Sequence, residues 1–311
     1  MTAPVKDFLS QVKIGARQTH ENMTLYCLLM AQEASVEFMT LDEALDKKAL
    51  VITEVTEGGS VSQLKVKNKS DQKVLMLDGE ELVGAKQNRV LNVTILVAAH
   101  SETIIPVSCV EEGRWSYRGR RFRSESRAMS ASLKRQKSET VLNNLRRQSS
   151  FHSDQGAVWM GIENKYIQMR TKRSGTMAMA DLYKSHKHRT NAYVKEFRPV
   201  TNQVGIIIFI DGELAGVELF GCSETLRKTH SKLVGSYVMD ALETAELRKK
   251  VVGKALKAKA AKLLQTAQAA STEIRRSVAL GNDLRLESNG LMGAGLEFEG
   301  QVLQLSIFGK N

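Results

Sequence analysis

Short apolar runs set off by turn-forming residues organise the first third of the chain, at residues 25–30, 51–55, 74–77, 90–97 and 103–107. Runs of that length bounded by Gly, Ser or Asp predict strands. Residues 41–50 predict a short helix instead, with Thr40 as N-cap and Glu43 completing a capping box. Gly58-Gly59 and Lys69-Ser70-Asp71 read as hairpin turns, and Pro106 fits a strand end or edge, where its missing N–H is not needed.

Further on the texture changes. Met129, Leu133, Val141 and Leu145 recur at multiples of four and predict an amphipathic helix over 124–148, starting at Ser124. The polar stretch 155–197, with Trp159, Ile162, Tyr166, Leu182 and Tyr193, predicts helices and loops that Pro199 ends. Strand patterns return at 205–221 and 284–308, on either side of a helical pattern at 224–262 with a break near Gly253.

Two of these strand regions repeat one another. Gly212-x-Leu214-x-x-Val217-x-Leu219-Phe220-Gly221 matches Gly300-x-Val302-x-x-Leu305-x-Ile307-Phe308-Gly309 without a gap, and Asp211 or Glu299 precedes the glycine. An acidic residue followed by glycine between apolar strands signals a type I′ hairpin, because both central residues need positive φ. A looser third copy starts at Leu77-Asp78-Gly79-Glu80. The expected fold is therefore α+β, mainly antiparallel sheet with repeated β-hairpin units, a central basic helical segment, and a C-terminal helix followed by a hairpin. Expected divisions are a β-rich lobe over 1–123, a basic, mostly helical segment over 124–199 and a second α+β lobe over 200–311, which also read as one continuous domain.

Composition changes the picture little: 42% hydrophobic and 25% charged residues in 311 are globular proportions. The longest apolar stretches fall far short of the roughly 20 residues that span a bilayer, and the N-terminus has no uninterrupted apolar core. Cys27, Cys109 and Cys222 are odd in number and widely spaced, as suits a reducing compartment. These features predict a cytoplasmic protein with no membrane partner. Charge adds more, because the net +11 is concentrated: eleven Lys or Arg against Glu125 and Glu139 give +9 over residues 114–147. Such a block is either a solvated surface or a contact for an anionic ligand or nucleic acid.

The third repeat copy is where chemistry gathers. Asp78-Gly79-Glu80-Glu81 is followed by Gly84-Ala85-Lys86-Gln87-Asn88-Arg89, a polar span between two strands. Glu80 and Glu81 are of the type that supplies an acid, a base or a metal ligand; Lys86 and Arg89 suit carboxylate or phosphate; Gln87 and Asn88 offer mixed donors and acceptors. A wet loop would look the same. Downstream, Ser108-Cys109-Val110-Glu111-Glu112-Gly113-Arg114-Trp115 offers Cys109 as a nucleophile or a small buried hydrophobe, Arg114 for phosphate, and Trp115 for stacking or for core. The sequence lacks GxxxxGK[ST], GxGxxG after a strand, GxSxG and HExxH. His186 and His188 read as solvated, and no metal site or cofactor is assigned.

These motifs, together with Gln155-Gly156-x-Val158-Trp159 and Tyr237-x-x-Asp240-Ala241-Leu242, resemble the prokaryotic ARG-and-rhodanese-phosphatase-superfamily-associated protein domain family, over about residues 10–245. ARG denotes ADP-ribosylglycohydrolase, so the resemblance implies a link to NAD or ADP-ribose metabolism. It carries over Glu80, Glu81 and Glu111 as catalytic candidates, and Lys86, Gln87, Asn88, Arg89, Cys109, Arg114 and Trp115 as ligand-binding ones. The Lys/Arg-rich stretch 130–189 departs from the family pattern. The expectation is a site that binds an ADP-ribose-like, NAD-derived or other phosphorylated nucleotide, with Arg89 and Arg114 on phosphate and Trp115 on the base, and with processing of that ligand left open. The alternative is a non-enzymatic nucleic-acid-binding protein using the block from Arg114 to Arg147, including Arg118, Arg120, Arg121 and Arg123, or a homo-oligomeric scaffold.

Overall fold

The computed structural model describes residues 4–245 and 253–310. In chain order it runs α1 (Pro4–Gln11), β1 (Lys13–His20), β2 (Met23–Leu29), β3 (Met39–Thr40), α2 (Leu41–Asp46), β4 (Leu50–Glu54), β5 (Gln63–Asn68), β6 (Val74–Met76), β7 (Glu80–Gly84), β8 (Arg89–Leu91), β9 (Ile95–Val97), β10 (Glu102–Cys109) and β11 (Phe122–Ala128). Helices α3 (Ala131–Gln148), α4 (Gln155–Gln168), α5 (Met179–Ser185) and α6 (Lys187–Glu196) follow, then β12 (Gln203–Ile210), β13 (Glu213–Phe220), α7 (Ser223–Thr244), α8 (Gly253–Gln268), β14 (Ser271–Arg276), β15 (Asn282–Ser288), β16 (Leu291–Phe298) and β17 (Gln301–Gly309). The fold is α+β with mostly antiparallel sheet, as the periodicity predicts. The break expected near Gly253 borders 246–252, which lie outside the described residues.

Contacts divide the chain into two units, one of residues 1–36, 190–277 and 281–311, the other of residues 37–189 and 278–280. These do not follow the three consecutive segments suggested by charge and hydropathy. The reason is strand pairing: β2, near the start, hydrogen-bonds β12 along its length, from Leu29 opposite Gln203 to Met23 opposite Ile210.

The first unit is built on an eight-stranded sheet of order β1-β2-β12-β13-β17-β16-β15-β14. Its two halves mirror one another about the β13–β17 seam. There Val217 faces Ile307, Glu218 faces Ser306 and Leu219 faces Leu305. Because the sequence repeat equates Val217 with Leu305 and Leu219 with Ile307, this register is that of a local two-fold axis through Glu218 and Ser306. The symmetry extends outward: helix-strand-strand precedes each repeated hairpin, as α1-β1-β2 before β12-β13 and as α8-β14-β15 before β16-β17. In the second copy Asn289-Gly290 joins β15 to β16; at the equivalent point of the first copy, between β2 and β12, residues 37–189 of the second unit are inserted, and only its residues 278–280 come from elsewhere, the β14–β15 connection. Helices α1 and α8 place Val5, Phe8, Leu9, Leu256, Ala260 and Leu263 in one core with Phe209, Leu219, Leu286 and Leu305. Each Val, Leu or Phe side chain among them contributes about 1.5–3 kcal/mol.

Both repeated hairpins have the expected turn, with φ of 50° and 83° at Asp211 and Gly212 and of 54° and 77° at Glu299 and Gly300. The third copy is different. β6 pairs with β3 and β9, whereas β7 pairs with β8 and β11, so Asp78-Gly79 carries the chain from one sheet to another and closes no hairpin. Only Gly79 has positive φ there. Asp78 is drawn away from turn duty by the buried Lys137 ammonium, with which it pairs. The hairpin lies one step later, where residues 85–88 join β7 to β8.

The second unit contains a six-stranded sheet of order β11-β7-β8-β10-β5-β4 and a three-stranded one of order β3-β6-β9. Strand β10 pairs with β5 up to Pro106 and with β8 from Val107, so the proline sits where the strand changes partners. Residues 90–97, expected as one strand, split between β8 and β9 in different sheets, and the turn at Lys69–Asp71 joins β5 to β6, which are likewise unpaired with each other. Residues 124–128 are strand, not helix: Ser124 pairs with Leu82 and Ala128 with Glu80 around a bulge, and α3 starts only after Ser130. The capping box at α2 forms as expected, Thr40 accepting from the Glu43 N–H and Glu43 from the Thr40 N–H.

Gly205 and Gly293 occupy equivalent places in the repeat, and a Cβ on them would lie 2.5 Å from the Glu218 carbonyl oxygen and 2.8 Å from that of Ser306. Alanine at either position is expected to destabilise the protein by about 1–3 kcal/mol through overpacking. Gly309→Ala, with no atom within 4 Å of the added carbon, should leave the urea midpoint nearly unchanged.

Candidate functional site

The β7–β8 hairpin loop is polar and yet buried, which excludes a merely wet loop. Ala85, Gln87, Asn88 and Arg89 are all buried, and only Lys86 is half-exposed. Buried backbone groups need partners, and here a single side chain supplies many of them. Arg114 enters from the β10–β11 connection and donates to the carbonyls of Ala85 at 2.7 Å, Ser116 at 2.8 Å and Gly84 at 3.4 Å, and to Asn88 Oδ1 at 3.2 Å. Its charge is met by Glu111, whose Oε2 lies 2.6 Å from Arg114 Nη2. The same carboxylate oxygen accepts the Asn88 N–H at 3.2 Å. Burial alone would raise the Glu111 pKa, but hydrogen bonds from Arg114 and Asn88 outweigh it and hold it below the ordinary value.

Arg89 forms a second centre. Fully buried, it donates to Gln87 Oε1 at 3.2 Å and to the Ser60 carbonyl at 3.3 Å, and stands 4.0 Å from Glu54 Oε1. Trp115 lies over it, with the guanidinium carbon 5.5 Å from the ring centroid, while Lys86 Nζ is 5.4 Å from the same ring and 5.1 Å from that of Tyr117. Trp115 and Tyr117 are 46% and 49% exposed, so Trp115 is not core.

Glu80 and Glu81 are neighbours on a strand and point to opposite faces. Glu80 accepts the Leu77 N–H at 2.7 Å and secures the turn before β7. Glu81 is fully buried and takes Arg127 Nε at 3.0 Å. Burial pushes its pKa up to about 7 against the pull of Arg127, with the charges of Glu125 and Glu111 adding to the rise. Cys109 is no nucleophile in this setting. Its thiol donates to the Val61 carbonyl at 3.4 Å, and burial pushes its pKa up to about 11 although Arg89 is near.

Of the residues expected from the sequence, Gln87, Asn88, Arg89, Glu111 and Arg114 converge, with Lys86 and Trp115 at the outer edge and Glu81 close enough to feel Glu111. Glu80 faces away. Arg89 and Arg114, expected on phosphate, are instead engaged with backbone carbonyls and carboxylates. Sequence reasoning missed Glu54, Arg127 and Tyr117; the acidic end of the apolar run Val51-Ile52-Thr53-Glu54 was the available signal for Glu54. Five buried atoms here have no hydrogen-bond partner among the described residues: Glu54 Oε2, Glu81 Oε1, Arg89 Nε, Glu111 Oε1 and Arg114 Nε. Such atoms are rare in folded proteins and mark functional sites when they cluster.

The basic block is divided. Arg114, Lys134 and Lys137 are buried, whereas Arg118, Arg120, Arg121 and Arg123 are exposed. Among the described residues no group of three or more His, Cys, Asp or Glu is placed to hold a metal ion, and no helix is long and apolar enough to cross a membrane.

A duplicated antiparallel sheet, interrupted by a unit that carries a buried guanidinium–carboxylate node beneath an exposed tryptophan, defines the class of protein. The chain belongs to the ARG and Rhodanese-Phosphatase-superfamily-associated Protein domain family, whose model matches residues 11–308. That span takes in the second copy of the repeat, beyond the stretch the motifs covered. No curated protein and no solved structure matches the chain.

Removing Arg114 would leave Glu111 buried and unpaired, so Arg114→Ala is expected to cost about 3–5 kcal/mol, while the Glu111→Gln, Arg114→Met pair should recover part of that loss in urea unfolding. Glu81 adds a pH signature. Its folded pKa lies above its unfolded one, so between about pH 4.5 and 7 the folded state holds the proton more tightly and stability falls as pH rises. Across that window Glu81→Gln should therefore gain stability relative to the parent; parallel stability–pH curves would contradict the assignment.

Proposed function

We propose that the site around Arg89, Glu111 and Trp115 binds an ADP-ribose-like, NAD-derived or other phosphorylated nucleotide, and that it is equipped to process it. The observation that carries this reading is the exposed Trp115 ring, flanked by Tyr117 and Lys86 and seated on a buried arginine. An exposed indole is a stacking surface for a base, and an ammonium beside it suits phosphate. Glu81 supports the processing step, since a carboxyl that ionises near neutrality can take and return a proton. The family description, which names ADP-ribosylglycohydrolase as an associate, supports the choice of ligand class.

A second reading rests on the exposed stretch 115–121, in which Trp115 and Tyr117 are followed directly by Arg118, Arg120 and Arg121. Aromatic and cationic side chains side by side suit single-stranded nucleic acid.

Calorimetry with ADP-ribose, AMP and ribose 5-phosphate tests the first reading. Loss of base stacking in Trp115→Ala is expected to weaken binding of the first two by about 1–3 kcal/mol, roughly five- to 150-fold, and Trp159→Phe should not. Full affinity in Trp115→Ala, or no binding of any of the three, would overturn it. Labelled single-stranded RNA and DNA titrated against salt address the second: binding through phosphates weakens steeply as salt rises, with a slope that counts the phosphates neutralised. Replacing Arg118, Arg120, Arg121 and Arg123 with alanine should flatten that slope.

A further inference from the structure

The β4–β5 connection, residues 55–62, crosses the outer edge of the candidate site and is tied there by side chains that belong to it. Lys86 Nζ donates to the Gly58 carbonyl at 2.7 Å, the Tyr117 hydroxyl to the Glu57 carbonyl at 3.0 Å and Arg89 Nη2 to the Ser60 carbonyl at 3.3 Å. Backbone support is slight. Among the described residues the loop's own bonds are Gly59 N–H to the Thr56 carbonyl and, at its base, Val107 N–H to the Ser62 carbonyl. Gly59 lies with φ of 78° where an added Cβ would meet Lys86 Cδ at 3.0 Å, Trp115 Cζ2 at 3.3 Å and Glu54 Oε2 at 3.5 Å. The loop thus rests directly on the tryptophan and on a buried carboxylate oxygen that has no hydrogen-bond partner.

Three donors of a cationic or phenolic kind are therefore spent on carbonyl oxygens of a loop whose remaining ties are those two backbone bonds and the Cys109 thiol on the Val61 carbonyl. A carbonyl oxygen brings only a partial charge to an ammonium or guanidinium, whereas a phosphate oxygen brings a full negative charge and makes the contact an ion pair. We propose that residues 55–62 form a flap whose carbonyls stand in for a pyrophosphate-like anion: the flap swings away when that anion takes Lys86, Arg89 and Tyr117. This deepens the nucleotide reading and rests on it for the rest of the ligand. It also gives Arg89 the phosphate contact that its present burial denies it.

Hydrogen exchange on the full-length protein tests the flap. In Lys86→Met and Tyr117→Phe the amides of 55–62 should exchange at least about tenfold faster while those of β4 and β5 hold; unchanged flap exchange would overturn the tethering. Inorganic pyrophosphate, added to the parent protein, should speed the same amides and should bind more weakly to Lys86→Met. Pyrophosphate that fails to bind, or binds without moving the flap, would overturn the exchange of carbonyl for anion. ADP-ribose is run separately: if pyrophosphate moves the flap and ADP-ribose does not bind, the nucleotide reading falls and the flap stands. If ADP-ribose binds by stacking on Trp115 and the flap stays protected, the flap falls and the nucleotide reading stands.

Discussion

Everything in the candidate site leans on one ion pair. Glu111 and Arg114 bring opposite charges to 2.6 Å in a place that water does not reach, and desolvating two ions is tolerable only if their remaining donors and acceptors are also met. The β7–β8 loop meets most of them. Its carbonyls at Gly84 and Ala85, its Asn88 side chain and its Asn88 N–H surround the two charges, leaving Glu111 Oε1 and Arg114 Nε without a hydrogen-bond partner among the described residues. The dependence runs both ways, because a turn in which three of four residues are buried has backbone groups that no strand partner reaches. Arg114 fixes the loop, the loop fixes Arg89, and Arg89 sets the height at which Trp115 rests.

The frame around this unit is simpler in origin. A helix, two strands and a hairpin occur twice, and the two copies join through β13 and β17 with matched register. Placing a carboxylate, Glu218, at the seam has its own requirement: Ser306 Oγ at 2.6 Å, Gln304 at 3.3 Å and the Tyr237 hydroxyl at 3.2 Å all donate to it. The pair of identical hairpins thus meets at a polar, fully engaged centre flanked on both sides by apolar ranks.

Much of this was legible where a residue's role is local. The turns at Asp211-Gly212 and Glu299-Gly300, the capping box at Thr40, the buried strands β2 and β12 and the half-buried β4 follow from neighbours in sequence. Edge strands escaped. Lys13–His20 and Ser271–Arg276 lie at the two rims of the eight-stranded sheet, where one side of each strand has no partner and polar residues hide the alternation. The Asp78-Gly79 segment misled for a different reason: it has the composition of a hairpin turn, but the ion that captures Asp78 is Lys137, far along the chain. The basic block misled likewise, since nothing local distinguishes Lys137 and Arg114, which go inside, from Arg120 and Arg121, which do not. Individual site residues were readable as types, and their roles were not, because roles here are settled by which carboxylate folds against which guanidinium.

The point of insertion has a consequence of its own. Leu29 and Gln203, the last paired residues on either side of the inserted unit, face each other across neighbouring strands, so the frame itself holds the insert's two ends together. Closing a loop grows costly only slowly, by about 0.6 kcal/mol for each doubling of its length. Between the two-residue corner at Asn289-Gly290 and the 173 residues from 30 to 202 lie about six doublings, so on that scale the second corner costs about 4 kcal/mol more. The frame holds the insert by its two ends as a socket holds a plug, and the paired length of β2 and β12 is what offsets that cost.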